Sequence, residues 1–228
     1  MPGDGRSPSF RAAELSTFDP EEAVRALRGA DARLAVLIDR IGPCHLRPNG
    51  LQSPFHALLE AITYQQLTGR AAETILRRVH ALFHARRPPG PEEVLGAPVE
   101  ALRGAGLSRA KVAAIQDLAL KTLDGTVPPL GRLRRMADDE VVERLTSIRG
   151  VGPWTAEMLL IFRLGRPDIL PATDYGIRKG FQAAFRTRGL PVPAAVLRRG
   201  ERWRPYRSVA SWYLWRALDT KAPGDEKA

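Results

Sequence analysis

The chain has 228 residues, with 35 Lys and Arg against 25 Asp and Glu, so its formal net charge is +10. This length suits one large domain or two small ones with a sizeable core. The hydrophobic and charged fractions, 44% and 26%, are ordinary for a globular protein and exclude a wholly disordered chain. No apolar run is long enough for a transmembrane helix. The positive charge, which comes mostly from arginine, favours a polyanionic partner such as nucleic acid; a charge that serves only solubility is the alternative.

Cysteine and histidine usage restricts the metal and redox chemistry that the chain can perform. Cys44 is the only cysteine, which excludes an internal disulfide, a four-cysteine iron–sulfur cluster and a cysteine-based zinc finger. His80 and His84 have the spacing of a helical metal pair, but no third ligand accompanies them, so we expect no metal there.

Apolar spacing predicts an all-α protein, because no segment alternates in the way of a strand. Asp19 before Pro20 and Ser53 before Pro54 mark helix starts, each with proline at the first helical position. The other predicted helices lie near residues 34–41, 71–83, 92–95, 99–104, 108–118 and 138–147, and Ser108 is the predicted N-cap of the helix over 108–118. We expect residues 1–17 to be poorly ordered and residues 221–228 to form a charged tail.

The strongest local signal is the segment Arg149-Gly150-Val151-Gly152-Pro153, where one predicted helix ends and another begins at Trp154. The two glycines let the backbone approach a ligand with no Cβ in the way. The amides of the turn and the new helix N-terminus would then form an anion site. A plain joint between two helices, with glycine as a C-cap, explains the same residues. Similarly, Asp174 precedes a predicted helix, where a carboxylate is an ordinary N-cap.

The pairing of this glycine turn with the downstream segment Pro171-Ala172-Thr173-Asp174 resembles the helix-hairpin-helix (HhH-GPD) superfamily of DNA glycosylases. Three further segments are similar to its alkyl-base branch, the 3-methyladenine DNA glycosylase II (AlkA-like) enzymes: residues 61–68 (AITYQQLT), 106–111 (GLSRAK) and 202–215 (from RWRPYRS to Trp215). The resemblance covers about residues 30–220. One departure is Arg149, which stands where the family hairpin usually has proline and could change the turn or add a phosphate contact.

The resemblance implies two helical lobes with an active-site cleft between them. Glycine and proline punctuation sets off a middle lobe over residues 54–130. Residues 18–53 together with 131–220 would form the second lobe, which would carry the hairpin and Asp174.

The resemblance also implies that Asp174 is the catalytic carboxylate, a role compatible with capping a helix. Its charge would stabilise the oxocarbenium-like sugar as the glycosidic bond breaks. Trp154 and Trp215 would line the base pocket, where an indole face favours a cationic methylated purine. Core packing is the alternative for both, and it is the expected role of Trp203 and Trp212. Trp154 also occupies the position of the lysine that cuts the backbone in another branch, which implies a glycosylase without lyase activity.

Contacts with DNA follow from the same resemblance. Gln66 and Leu67 lie where the family inserts a wedge into the gap left by a flipped base; a solvated helix end is the alternative. The turn would bind a DNA phosphate, and its main-chain carbonyls would hold a monovalent cation, Na⁺ or K⁺, with no cofactor needed for catalysis. The residues concerned are Gly150, Val151, Gly152 and Thr155 for the phosphate, and Thr146, Ile148 and Val151 for the cation.

The predicted function is therefore the excision of alkylated, 3-methyladenine-type bases from double-stranded DNA, leaving an abasic site. We expect a monomer without membrane association. The first residues lack the apolar segment of a signal peptide, so we expect an intracellular location, in the cytoplasm and with the nucleoid if the source is bacterial. The alternatives are a non-catalytic helix-hairpin-helix DNA-binding protein and a glycosylase for another damaged base. A pure binding module would need the glycine turn but no carboxylate at position 174.

Overall fold

The computed structural model of the protein describes residues 18–51, 53–83 and 87–218. Within these ranges the chain forms thirteen α-helices and no strand, so the all-α prediction is confirmed. The predictions for residues 1–17, His84 and residues 221–228 lie outside the described ranges. None of the helices in the described part of the chain is long and apolar enough to cross a membrane.

Contacts divide the chain into two compact units. The described part of the first unit consists of residues 18–50 and 160–218. Its helices are α1 (Pro20–Ala30), α2 (Ala32–Ile41), α11 (Tyr175–Phe185), α12 (Pro193–Gly200), a 3-10 helix (Glu201–Trp203) and α13 (Arg207–Arg216). The end of one further helix, which begins in the other unit, also belongs to it. α13 packs against α11, α2 and α1 with an almost wholly buried sequence, so it forms the centre of this unit.

Asp31 sets the sharp break between α1 and α2. Its carboxylate accepts the N–H groups of Arg33 and Leu34, which caps α2. It also accepts hydrogen bonds from Nε of Arg199 at 2.6 Å and from the indole nitrogen of Trp203 at 3.1 Å. Burial alone would raise the pKa of Asp31, but the hydrogen bonds from Arg199 and Trp203 outweigh burial and leave this pKa below its usual value. One buried carboxylate therefore joins the N-terminal helices to the C-terminal ones.

The described part of the second unit consists of residues 51, 53–83 and 87–159. Its helices are α3 (Pro54–Tyr64), α4 (Gly69–Ala81), α5 (Pro91–Gly96), α6 (Val99–Gly104), α7 (Arg109–Leu123), α8 (Leu130–Leu133), α9 (Asp138–Thr146) and most of α10 (Pro153–Phe162). α7 packs against α3, α5 and α6, and the Ser108 hydroxyl caps it as predicted. The boundary between the units, after Leu159, falls inside α10.

The observed division differs from the one that we expected for the hairpin. Residues 131–159 belong with the middle helices and not with the unit that carries Asp174. The reason lies in contacts with α7, because Asp117 accepts the N–H of Arg149 and the ammonium of Lys121 donates to the Ser147 carbonyl. The glycine and proline residues near position 130 indicate a break between helices, but they do not reveal these tertiary contacts.

Candidate active site

Asp174 is the N-cap of α11, as its position in the sequence predicts. Its backbone is extended, and Oδ1 accepts the N–H of Ile177 at 2.7 Å. The indole nitrogen of Trp215 donates to the same oxygen at 2.9 Å. Two donors on one oxygen restrict the rotation of the carboxylate. Asp174 is therefore both a helix cap and an oriented acid beside an aromatic ring.

Gly176 makes the approach of this ring possible. A Cβ built on Gly176 would lie 2.9 Å from Cδ1 of Trp215, closer than real contacts allow, and 3.0 Å from Oδ1 of Asp174, which is tighter than most real contacts. A side chain at position 176 would therefore displace the indole or the carboxylate. The Asp174-Tyr175-Gly176 sequence thus supplies the acid and the space for its aromatic partner.

A cavity of about 270 Å³ adjoins Trp215. Its walls combine the aromatic rings of Phe162, Trp212 and Trp215 with Leu46, and its remaining lining comes from His45, Arg47 and Arg216. The rings of Phe162 and Trp215 have centroids 5.6 Å apart and are inclined by 32°. Aromatic walls with a few polar groups are typical of sites for flat ligands. The cavity therefore suits a planar base next to the carboxylate of Asp174.

Two arginines, Arg47 and Arg216, are among the residues that line this cavity. The Arg216 guanidinium lies 5.2 Å from the centroid of the Trp212 ring, within the range of a cation–π contact. Arg47 is exposed on the lining segment. Trp203 and Trp212 are buried, as predicted, although Trp212 also provides a wall of the cavity. Cationic groups around an aromatic site favour a ligand that carries phosphates outside the pocket.

The two glycines of the hairpin differ in backbone conformation. Gly150 has φ +77°, a left-handed value that side chains rarely adopt, whereas Gly152 does not have a positive φ. A Cβ built on Gly152 would meet nothing within 4 Å. Among the described residues, no acceptor takes up the N–H of Gly150 or Gly152. These amides are therefore available to an anion, and the fold itself does not require a glycine at position 152.

Thr155 and Val151 are less accessible than the glycines. Thr155 is 7% exposed, and its N–H donates to the Gly152 carbonyl at 3.0 Å. Val151 is buried, and its N–H donates to the carbonyl of Ile148 at 3.0 Å. The amides of Val151 and Thr155 therefore already have acceptors, so of the four residues predicted to bind phosphate only Gly150 and Gly152 have N–H groups left to donate; phosphate binding itself stays a prediction.

The predicted wedge residues lie on a tight turn after α3. Gln66 has φ +57°, and Leu67 is 38% exposed although it is apolar. The ammonium of Lys111 donates to the carbonyls of Thr63 at 2.7 Å and Gln65 at 2.8 Å. The Gln65 amide in turn donates to the Gly150 carbonyl at 2.9 Å. The turn is thus held by α7 and by the hairpin, so an exposed leucine is presented on a restrained backbone.

The family model described as HhH-GPD superfamily base excision DNA repair protein matches residues 59–205. This match covers more than half of the chain and includes the Gln66 turn, the hairpin and Asp174. The chain belongs to the HhH-GPD superfamily. The predicted family and the predicted class of function, base excision repair of DNA, are confirmed.

Individual relatives agree with this assignment. DNA-3-methyladenine glycosylase 1 of Schizosaccharomyces pombe is 36% identical over 193 residues, which are 83% of this chain and 84% of that protein. The solved structure of Schizosaccharomyces pombe Mag1 in complex with abasic DNA has a TM-score of 0.76 at 35% identity and covers 87% of this chain and 97% of that chain. A DNA-3-methyladenine glycosidase from Bacillus halodurans has a TM-score of 0.79 at 34% identity and covers 90% of this chain and 92% of that chain.

The structure brings some of the predicted HhH-GPD site residues together. Asp174 and Trp215 are in direct contact, and Gln65, next to Gln66, contacts Gly150. Trp154 lies in the first turn of α10 and is 46% exposed, so it is not packed as a core tryptophan; its role in the base pocket stays a prediction.

Sequence reasoning missed two residues of the site. Phe162 was not singled out, because an aromatic residue at the end of an apolar helix is usually part of the core. Lys111 belongs to the GLSRAK segment of the family resemblance, three residues after Ser108, the cap of α7. That spacing predicts the start of a helix, but it does not reveal that the Lys111 ammonium reaches the C-terminal end of α3.

Within the described ranges, no group of three or more His, Cys, Asp and Glu side chains could hold a metal ion. The carbonyls of Thr146, Ile148 and Val151 are oxygen donors of the kind that Na⁺ and K⁺ accept. The Ile148 oxygen already accepts the N–H of Val151 but retains a second lone pair. These residues fit a monovalent cation by the chemistry of their donors.

Proposed function

We propose that the protein hydrolyses the N-glycosidic bond of alkylated, 3-methyladenine-type bases in double-stranded DNA. The observation that carries this proposal is the Asp174 carboxylate, held by Trp215 at the edge of an aromatic cavity. The names of the relatives support the class of base, since the proteins from Schizosaccharomyces pombe and Bacillus halodurans are both called 3-methyladenine glycosylases or glycosidases.

In the proposed reaction, the bond between the sugar C1′ and the base nitrogen breaks, and its electron pair leaves with the base. The base of an N-alkylated purine is cationic, so the departing pair neutralises it and little protonation is needed. Positive charge develops on the sugar, where the Asp174 carboxylate stabilises it. Water then adds to C1′ and loses a proton, for which Asp174 is the nearby acceptor. The products are the free base and an abasic site.

The cavity supports the selection of a cationic base. Phe162 and Trp215 provide aromatic surface, and an aromatic face attracts a cation by about 0.5–2 kcal/mol per contact. Trp154 would add a second indole, as the family resemblance implies. A normal neutral purine gains only the stacking part of this attraction. Selection then arises from the charge of the damaged base together with its weaker glycosidic bond.

Access to a base inside a duplex requires flipping, and the turn after α3 is suited to the gap that flipping leaves. Leu67 is an exposed apolar side chain on a backbone that Lys111 and Gln65 hold in place. An apolar wedge stacks between bases without competing for their hydrogen bonds. Gln66 lies next to it and has amide groups that could pair with the base left unpaired. We assign the wedge to this pair of residues.

The hairpin would bind the DNA backbone. The N–H groups of Gly150 and Gly152, which have no acceptor among the described residues, would donate to a phosphate oxygen. A monovalent cation on the carbonyls of Thr146, Ile148 and Val151 would add one positive charge facing the DNA. Replacing K⁺ and Na⁺ by a bulky organic cation at constant ionic strength should then weaken duplex binding.

We further propose an enzyme without lyase activity, because an indole at position 154 cannot form a Schiff base with the sugar. One chain supplies every residue in the scheme, so the active form is proposed to be a monomer. The intracellular location stays a prediction.

The deciding experiment incubates the protein with DNA methylated by a simple alkylating agent and identifies the released bases by mass spectrometry. The proposal expects release of 3-methyladenine and other cationic purines, with intact strands until alkali is added. Duplexes with hypoxanthine or 8-oxoguanine test the alternative of another damaged base. Duplex binding without release of any of these bases would favour the non-catalytic DNA-binding alternative and contradict the proposal.

A further inference from the structure

Arg149 replaces the proline that the family hairpin usually has, and this replacement adds a hydrogen bond. The backbone N–H of Arg149 donates to Oδ2 of Asp117 at 2.7 Å. Proline has no N–H, so a hairpin with proline at this position could not form this bond. The N–H that Arg149 has and proline lacks therefore finds an acceptor on α7, the carboxylate of Asp117.

Asp117 has a partner one helical turn further along α7. Nζ of Lys121 lies 3.3 Å from Oδ2 of Asp117, and the Lys121 ammonium donates to the carbonyl of Ser147. The two side chains are 30% and 23% exposed, so both are partly shielded from water. We call Asp117 and Lys121 the α7 clamp. The clamp binds one N–H and one C=O of the segment 147–149 and thereby fixes the backbone that leads into Gly150.

The side chain of Arg149 is left over for another partner. Arg149 is exposed, and no residue in the described ranges forms an ion pair or hydrogen bond with its guanidinium. It directly precedes Gly150, whose free N–H belongs to the proposed phosphate site. A guanidinium can donate two parallel hydrogen bonds to a phosphate, which an ammonium cannot do as well.

We propose that Arg149 binds the phosphodiester backbone of DNA and that Asp117 is the positioning residue that holds it there. This inference rests on the proposed role of the hairpin in DNA binding. A carboxylate so close to a phosphate would by itself repel it, and the ammonium of Lys121 offsets this charge. The α7 clamp thus restrains the backbone of the turn, as a proline ring would do. Position 149 can therefore carry a cationic side chain.

The phosphate contact is tested by the salt dependence of duplex binding with an undamaged oligonucleotide. Arg149→Ala should lower the slope of log K against log salt concentration by about one, because one phosphate contact is lost. Arg103→Ala is the matched control: it removes the same charge from the same unit, but Arg103 is paired with Glu100. An unchanged slope for Arg149→Ala, or an equal fall for Arg103→Ala, overturns the phosphate contact.

The positioning role is tested by varying the acceptor and the donor of the hydrogen bond. Asp117→Ala should weaken duplex binding, whereas Asp117→Asn, which retains an acceptor oxygen, should largely preserve it. In the Arg149→Pro background, Asp117→Ala should have little further effect, because the N–H is already absent. Equal losses for the Ala and Asn variants in the parent chain overturn the positioning role, and this comparison does not depend on the folding of Arg149→Pro.

One further variant separates this inference from the proposed function on which it rests. Gly152→Val blocks the hairpin amides without touching Arg149. If Gly152→Val binds duplex DNA like the parent, the hairpin is not the phosphate site, and both the proposed role of the hairpin and the inference about Arg149 fail; base excision is decided separately by the release of bases. If Gly152→Val loses binding while Arg149→Ala keeps the parent slope, the hairpin role stands and only the inference about Arg149 is overturned.

Discussion

The indole nitrogen of Trp215 lies 2.9 Å from Oδ1 of Asp174, the oxygen that also caps α11. One carboxylate oxygen is therefore shared by a helix N-terminus and by a wall of the candidate base pocket. The ring of Phe162 packs against the same indole. As a result, the position of the acid and the shape of the pocket depend on each other, and variants can be chosen that change one without the other.

Asp174→Asn should abolish most of the base release while leaving the fold intact. The amide keeps an acceptor oxygen for the N–H of Ile177, but it loses the negative charge that stabilises the sugar cation. We expect release from methylated duplex to fall by about two orders of magnitude or more. Single-turnover release and thermal unfolding measure the two properties. A folded variant with near-parent release would remove Asp174 from the catalytic role.

Trp215→Phe is the matched control for this variant. It retains an aromatic wall but removes the N–H that orients Asp174. Release should fall by less than in Asp174→Asn, because the charge remains, and binding of DNA with an abasic site should not change. Equal loss in both variants would mean that Trp215 contributes more than orientation.

Borohydride should not trap a covalent complex between the protein and substrate DNA. The family resemblance implies that Trp154 stands where the lyase branch has its lysine, and an indole offers no amine to attack the sugar. Strand breaks should appear only after alkali or heat, as seen on a denaturing gel. A trapped adduct at stoichiometric yield would point to another lysine and refute the monofunctional assignment.

Asp31 should stabilise the fold in a pH-dependent way. Its pKa is lowered in the folded protein, so its contribution is complete above the ordinary value of 3.8 and is lost as the pH falls through the folded pKa. Asp31→Asn keeps a cap for α2 but loses the ion pair with Arg199, which we expect to cost about 3 kcal/mol at neutral pH. Urea unfolding of both proteins from neutral to acidic pH should show this difference closing at low pH. A constant difference would mean that charge is not the cause.

The sequence predicted the features that depend on a few neighbouring residues. The N-caps Asp19, Ser53 and Ser108 and the cap Asp174 were all predicted, because the cap and its amide lie within three positions of each other. The role of Asp31 was not predicted, because the side chains of Arg199 and Trp203 that donate hydrogen bonds to it are 168 and 172 residues away in the sequence.

The same reason explains the other differences. Whether Arg149 altered the turn could not be known without Asp117, which is 32 residues earlier. The sequence does not distinguish the two glycines of the hairpin, although only Gly150 adopts a left-handed backbone conformation.

Substitutions at the two hairpin glycines should therefore have different effects. Gly150→Ala forces a side chain into a backbone with φ +77° and should lower the melting temperature. In Gly152→Ala no protein atom lies within 4 Å of the added Cβ, so this variant should fold like the parent. The Cβ would, however, lie beside the N–H groups that are proposed to bind the phosphate. We expect weaker binding to damaged and undamaged duplexes alike, measured by fluorescence anisotropy. Parent-like binding by a stable Gly152→Ala variant would reduce the turn to a simple joint between two helices.

Lys111 should affect base release through the wedge and not through the chemistry. Lys111→Met keeps much of the side-chain volume but leaves the carbonyls of Thr63 and Gln65 without their ammonium donor. The turn that carries Leu67 would then be less restrained, so release from duplex DNA should fall by about tenfold, a barrier change of about 1.4 kcal/mol. Release from the same methylated base in single-stranded DNA should change much less, because no gap has to be filled there.

A double variant shows whether Lys111 acts through Leu67. Leu67→Ala alone should slow release from duplex DNA, and adding Lys111→Met should cost little more, because the wedge that Lys111 positions is already absent. Lys111→Arg, which retains a cation with several donors, should recover part of the duplex activity. If the losses from Lys111→Met and Leu67→Ala simply add, or if single-stranded and duplex substrates suffer equally, Lys111 stabilises α3 and α7 in general and does not position the wedge.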